Sequence, residues 1–231
     1  MTTRPHQAQG GPPLPLLAAV FVLLQLAAVA LSTATPHPTD AAAVWFAYAR
    51  DHGTELRVAA FLQVASAIPL AILAATAYRR LRGLGVTAPG TAIGFAGGLL
   101  AAVAISVCGL LGWTEAQLGG STSPDITRAL GELAFATGSA GVVPPLALLL
   151  AGIAVPSLLL RFLPRWLAVA GLVLAGVGML STFTLLTPAL DVTLPIGRFG
   201  ALVWLLAASA LLPVTRRRAT STPDRMATTP A

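Results

Sequence analysis

The sequence contains no lysine; its fourteen basic residues are all arginine. Alongside so much alanine and glycine, this is the coding bias of a GC-rich bacterium rather than a functional choice. Charge is scarce as well. Charged residues make up 10% of the chain, against about 25% in soluble proteins, which excludes an ordinary soluble domain. There is one cysteine, Cys108, so an internal disulfide and a cysteine-based metal site are both excluded. Cys108 lies in an apolar run and reads as a small buried hydrophobe. The histidines are His6, His37 and His52. None is in an apolar run, which counts against a bis-histidine haem and a histidine-based intramembrane zinc site. His37, Asp40, Asp51 and His52 fit no metal-ligand template. No Gly-x-Ser-x-Gly elbow, P-loop or dinucleotide fingerprint occurs, and no nucleophile–base pair is visible. No catalytic residue, cofactor or metal is therefore expected.

What the chain does have is apolar length. Six runs cover Leu14–Leu31, Leu56–Tyr78, Thr91–Trp113, Ala129–Leu160, Trp166–Leu186 and Ile196–Val214. Crossing the roughly 30 Å hydrocarbon core takes about 20 residues, and one globular core could not bury this many such segments. The expected fold is all-α: a polytopic membrane helix bundle of six transmembrane helices over residues 14–215. A disordered leader is expected over 1–13 and a disordered polar tail over 216–231. Ala28-Val29-Ala30 resembles a signal-peptide cleavage site, but the first run exceeds the roughly 7–15 residues of a signal core, so a retained helix is expected. The lipid bilayer is the first partner implied.

Arginine placement sets the orientation, because cytoplasmic loops are enriched in basic residues. With the N-terminus inside, Arg4, Arg79, Arg80, Arg82, Arg161, Arg165, Arg216, Arg217, Arg218 and Arg225 all fall on the inner side. The outer side then holds Arg50, Arg57, Arg128 and Arg198, with seven of the eight acids. Both termini are expected to be cytoplasmic, in the plasma membrane. The formal charge of +6 is thus an orientation signal. No basic stripe on a soluble face exists, so nucleic-acid binding is not expected.

Two segments depart from a plain bundle. In the first outer loop, Thr39 or Asp40 can cap a short helix that Gly53 can end. Trp45, Tyr48 and His52 share one face of it, as in a helix on the membrane surface or in a lid over a site. The fourth run is too long. A helix from Ser123-Pro124 to Leu160 would extend about 55 Å, and Pro144-Pro145 removes two backbone donors from its middle. A kink or break is expected, and transporters do place binding sites at broken helices. Gly94 and Gly98 form a Gly-x-x-x-Gly pair suited to close helix packing. Ile68-Pro69-Leu70-Ala71 and Pro144-Pro145-Leu146-Ala147 share a pattern that would fit ancestral helical hairpins.

Ionisable groups inside a bilayer are costly and tend to be functional. Here none is deep, except Glu132 about one turn in. The polar residues within runs are Gln25, Gln63, Ser66, Thr137, Ser139 and Thr182. Arg57, Arg128 and Arg198 each lie near a helix N-terminus, where the macrodipole disfavours a cation. Arg128 and Glu132, four apart, share a helix face. Arg57, Gln63, Arg128, Glu132 and Arg198 form the candidate outer polar cluster, either ion pairs that tie helix ends together or a vestibule for an anionic or zwitterionic ligand.

Ala59-Ala60-Phe61-Leu62-Gln63 followed by Ala67-Ile68-Pro69-Leu70, Leu163-Pro164-Arg165-Trp166-Leu167-Ala168, and Arg198-Phe199 with Trp204 and Leu212-Pro213 resemble a family of bacterial six-helix membrane proteins, domain-of-unknown-function family 4386 and its relatives. The resemblance covers residues from about 14 to 218. It implies six helices and a retained first span, and carries no activity. The leading functional expectation is a non-enzymatic scaffold or helper subunit, with a protein partner or a second copy in the membrane. The alternative is a small transporter or ligand sensor built on the broken fourth span and the outer arginines.

Overall fold

The computed structural model describes residues 12–214. The expected leader, apart from Pro12 and Pro13, and the expected tail lie outside the described residues. The helices are α1 (Leu14–Leu31), α2 (Ala42–Asp51), α3 (Gly53–Gly83), α4 (Gly90–Leu118), α5 (Pro124–Gly138), α6 (Val143–Leu160), α7 (Arg165–Leu180) and α8 (Thr193–Leu211), with two 3-10 turns at Ser181–Leu185 and Pro188–Leu190. No strand occurs among the described residues. Six segments are long and apolar enough to cross a membrane, with α5 and α6 together forming the fourth, Pro124–Leu160. The chain is an all-helical, multi-pass membrane protein. Leu16, Phe61, Ile68, Val103, Leu159 and Val203 point outward from the bundle, where a bilayer accepts them.

Helix ends follow local chemistry. The last turn of α3 carries Arg80 and Arg82, a placement the helix dipole favours, and Arg80 Nη1 donates to the Leu212 carbonyl at 3.2 Å. Pro213 ends α8, since the residue before a proline is pushed to extended geometry; Leu212 is extended, at φ −67°, ψ 119°. The fifth run stays α-helical only to Leu180. Ser181 Oγ then donates to the Gly178 carbonyl at 2.6 Å, and the chain tightens into the 3-10 turns. The expected Thr39 or Asp40 cap on α2 is not made. The N-cap is Ala41, without a side-chain bond, because Asp40 Oδ2 instead accepts the His37 N–H at 2.7 Å. No loop separates α2 from α3; only His52 lies between them.

α1 packs on α3 and α8, α3 on α4, α4 on α6, α6 on α7, and α7 on α8. Small residues bring backbones together. A Cβ on Gly152 would overlap the Gly94 Cα, so α4 and α6 touch main chain to main chain, as membrane helices do. Gly98 serves a different contact, against Ala74 of α3 and Leu149 of α6. Trp204 lies over Gly171, and its Nε1–H donates to the Leu167 carbonyl at 2.7 Å, which joins α8 to α7.

The fourth span is broken at 139–142. Pro144 and Pro145 do not sit in the middle of a kinked helix. They occupy the first turn of α6, where a missing N–H costs little. The break lies just before them, where Ser139 turns out of helical geometry at φ −105°, ψ −89°. Gly141 N–H closes the end of α5 on the Ala136 carbonyl at 3.0 Å. The two halves therefore have different neighbours. α6 packs on α4, α7 and α8, whereas α5 packs on α4 and α2. Space opens between α5 and the ends of α1, α3 and α8.

Candidate functional site: a cavity beneath the short helix

That space is a partly open cavity of about 390 Å³. Its walls come from α1, α3, α4, α5 and α8, with α2 and residues 32–38 over it. Glycine and alanine account for the room. Gly109 and Gly112 of α4, Ala59 and Ala60 of α3, and Gly131, Ala134 and Gly138 of α5 all line it. A Cβ on Gly112 would have no neighbour closer than 3.9 Å.

The roof is held by aromatic contacts. Trp45 is 1% exposed and packs so tightly on Gly131 that a Cβ there would overlap its ring. Tyr48 stacks on His52 with ring centroids 4.8 Å apart, and its hydroxyl meets Thr35 Oγ1 at 3.2 Å. Burial raises the Tyr48 phenol above its ordinary pKa, so it stays a neutral donor at physiological pH.

The floor is a chain of hydrogen bonds across four helices. Arg198 of α8 donates from Nη2 to Gln25 Oε1 at 2.7 Å and from Nη1 to the Gly138 carbonyl at 3.3 Å. The second bond caps one of the carbonyls left free at the end of α5. Gln25 Nε2 donates to Ser66 Oγ at 2.7 Å, and Ser66 Oγ donates to the Gln63 carbonyl at 2.6 Å. Gln25 and Ser66 are essentially inaccessible. Cys108 abuts Gly138 from the other side: a Cβ on Gly138 would lie 2.7 Å from its Sγ. Arg198 and Cys108 therefore share one level of the cavity.

Glu115 stands at the other end. It lies seven residues after Cys108 on α4, two helical turns or about 10 Å along the axis. It is 3% exposed, and its Oε1 has no hydrogen-bond partner among the described residues. Gln63 Oε1 and Trp45 Nε1 are buried and unpartnered in the same way. All three side chains line the cavity. Buried polar groups normally find partners, so three unpaired ones on residues that line one hollow set it apart from the rest of the bundle.

Of the five residues in the expected outer cluster, the structure brings Gln63 and Arg198 into this cavity. Arg128 and Glu132 pair with each other at 2.7 Å on a half-exposed face of α5. Arg128 also donates to the Pro38 carbonyl at 3.3 Å, which ties α5 to the segment before α2. Among the described residues, Arg57 Nε donates to the Gly53 carbonyl of its own helix, at 3.1 Å, and to no other helix. Glu115 is the residue the sequence reading misses, because the third apolar run ends at Trp113, whereas α4 continues to Leu118. A signal was available: Cys108, Gly112 and Glu115 follow i, i+4, i+7 spacing and share one helix face.

The cavity has room for a small molecule. Its walls are largely apolar, with a few convergent polar groups, as in small-molecule sites. No three His, Cys, Asp or Glu side chains come together in a metal-binding group among the described residues. Fold and site together define a multi-pass helical membrane protein with a polar-floored cavity at the α2 end. No family model, curated protein or solved structure matches the chain.

Proposed function

We propose that this chain is a multi-pass protein of the bacterial plasma membrane, akin to the six-helix family it resembles, that binds a small ligand in an outward-facing cavity as a sensor or transporter. The observation that carries this reading is the cavity itself. It reaches Gln63 and the Gly138–Ser139 end of α5, and so joins a buried polar floor to a broken span. Transporters use broken helices in this way; a solidly packed scaffold needs neither feature. The arginine asymmetry of the sequence puts α2 and the cavity mouth outside the cell.

Cys108, the sole cysteine, reports on the floor. A small membrane-impermeant thiol reagent added from outside is expected to label it in the intact bundle. Gly112→Leu directs a side chain into open space and is expected to slow that labelling while the protein still elutes as a folded species. Labelling indifferent to Gly112→Leu refutes the reading. Co-purification in mild detergent tests the scaffold or helper-subunit role: a stoichiometric partner protein or second copy, with Cys108 shielded in its presence, would favour it.

A further inference from the structure

Buried acceptors at the cavity go unpartnered among the described residues. Glu115 Oε1 and Gln63 Oε1 lack partners, as does the donor Trp45 Nε1. Among the described residues Glu115 also has no cationic partner. The ion pairs among the described residues are Arg50–Asp51 and Arg128–Glu132, neither of which involves it. A carboxylate removed from water without a counter-charge is costly, and a ligand that supplies the counter-charge removes that cost. Two aromatic rings, Trp45 and Tyr48, stand over the same space, and aromatic faces attract cations.

Resting on the reading that the cavity takes a ligand, we propose that the ligand is a hydrophobic amine, its ammonium group seated on Glu115 beneath Trp45 and Tyr48 and its apolar body lying along the Gly/Ala walls. The walls that would take the body include Val29, Leu56, Ala60, Ala134 and Phe135.

Arg198 lines the same cavity and repels a cation, but from the floor. Coulomb energy falls with distance, so Glu115 at contact outweighs Arg198, which sits at the level of Cys108, two helical turns away along α4. An anionic ligand would have the opposite problem. It would face an unpaired carboxylate at one end, while at the other Arg198 already donates to Gln25 and Gly138.

The test uses the full chain in mild detergent and three probes with one fluorophore: dansylcadaverine, which carries a primary ammonium, its N-acetyl derivative, which is neutral, and dansyl-6-aminohexanoate, which is anionic. Binding is read as the fluorescence increase that Gly112→Leu abolishes, so that partition into micelles is subtracted. The ammonium probe is expected to bind at least about tenfold more tightly than the other two. Glu115→Gln is expected to erase that margin and leave the neutral probe unchanged, and Arg165→Gln, at the start of α7 and away from the cavity, to leave all three unchanged. Equal or tighter binding of the neutral or anionic probe overturns the amine assignment, as does an ammonium preference that survives Glu115→Gln; in both cases the cavity reading stands. No Gly112-sensitive signal from any probe overturns the cavity reading itself. If Glu115→Gln does not yield a folded bundle, the probe comparison on the unsubstituted chain decides.

Discussion

The hydrogen-bonded floor makes a quantitative prediction. Gln25→Leu removes the acceptor of Arg198 Nη2 and the donor to Ser66 Oγ, both at 2.7 Å. Arg198→Leu removes the donors to Gln25 and to the Gly138 carbonyl. A hydrogen bond to a charged group contributes about 1.5–3 kcal/mol in water-soluble proteins, but interhelical bonds in a membrane average about 0.6 and reach about 1.7 kcal/mol. The Arg198–Gln25 bond is charge-assisted and Gln25 is fully buried, so its value belongs near the top of the membrane range. Each single variant is expected to lose about 2–3 kcal/mol, because each also leaves a second group unpaired. The double variant is expected to lose less than the sum of the two, by about 1–2 kcal/mol, since the shared bond is counted only once. The assay is reversible SDS unfolding in mixed micelles, followed by tryptophan fluorescence, on all four proteins of the cycle. Additivity to within about 0.5 kcal/mol would mean that Arg198 and Gln25 do not act together, and the floor as described would be wrong.

Three further outcomes follow from the fold. Reporter fusions at Gly83 and Gly120 are expected to report opposite sides of the membrane, and the same side for both would refute the arginine-based orientation. Pro144→Ala with Pro145→Ala restores two backbone donors at the start of α6; α5 and α6 are then expected to join more continuously, narrowing the cavity and slowing Cys108 labelling. Unchanged labelling would place the cause of the break in residues 139–142 alone. Gly171→Ala puts a methyl 2.5 Å from the Trp204 indole, and overpacking of this kind costs about 1–3 kcal/mol. A lower SDS midpoint is expected, and an unchanged midpoint would show that Trp204 does not pack on α7 as described.

The membrane class, the six spans and the break in the fourth were all legible along the chain. Each rests on neighbouring residues: about 20 apolar side chains cross a bilayer wherever they occur, and a double proline interrupts a helix whatever surrounds it. The boundaries were less so. Pro144-Pro145 pointed to a break, but its position at 139–142 depended on the capping of α5, by Gly141 N–H on Ala136 and by Arg198 from another helix. Gln25, Ser66 and Gln63 were visible as the few polar residues within runs. That Arg198, 173 positions away, would be the partner of Gln25 was not.

Sequence by itself determined which segments enter the membrane, because transfer of a helix into lipid depends on that helix's own side chains. Tertiary structure alone decided where those helices fail to fill space. Arg57, Arg128 and Arg198 look alike along the chain, each near the start of a spanning segment. Packing turned Arg198 toward Gln25, paired Arg128 with Glu132 and left Arg57 on its own backbone. Glu115 reads as one more acid beyond a span until α2, α3 and α5 enclose it. A cavity is bounded by atoms from many helices, and its contents depend on distances between residues far apart in sequence, which periodicity and hydropathy do not encode.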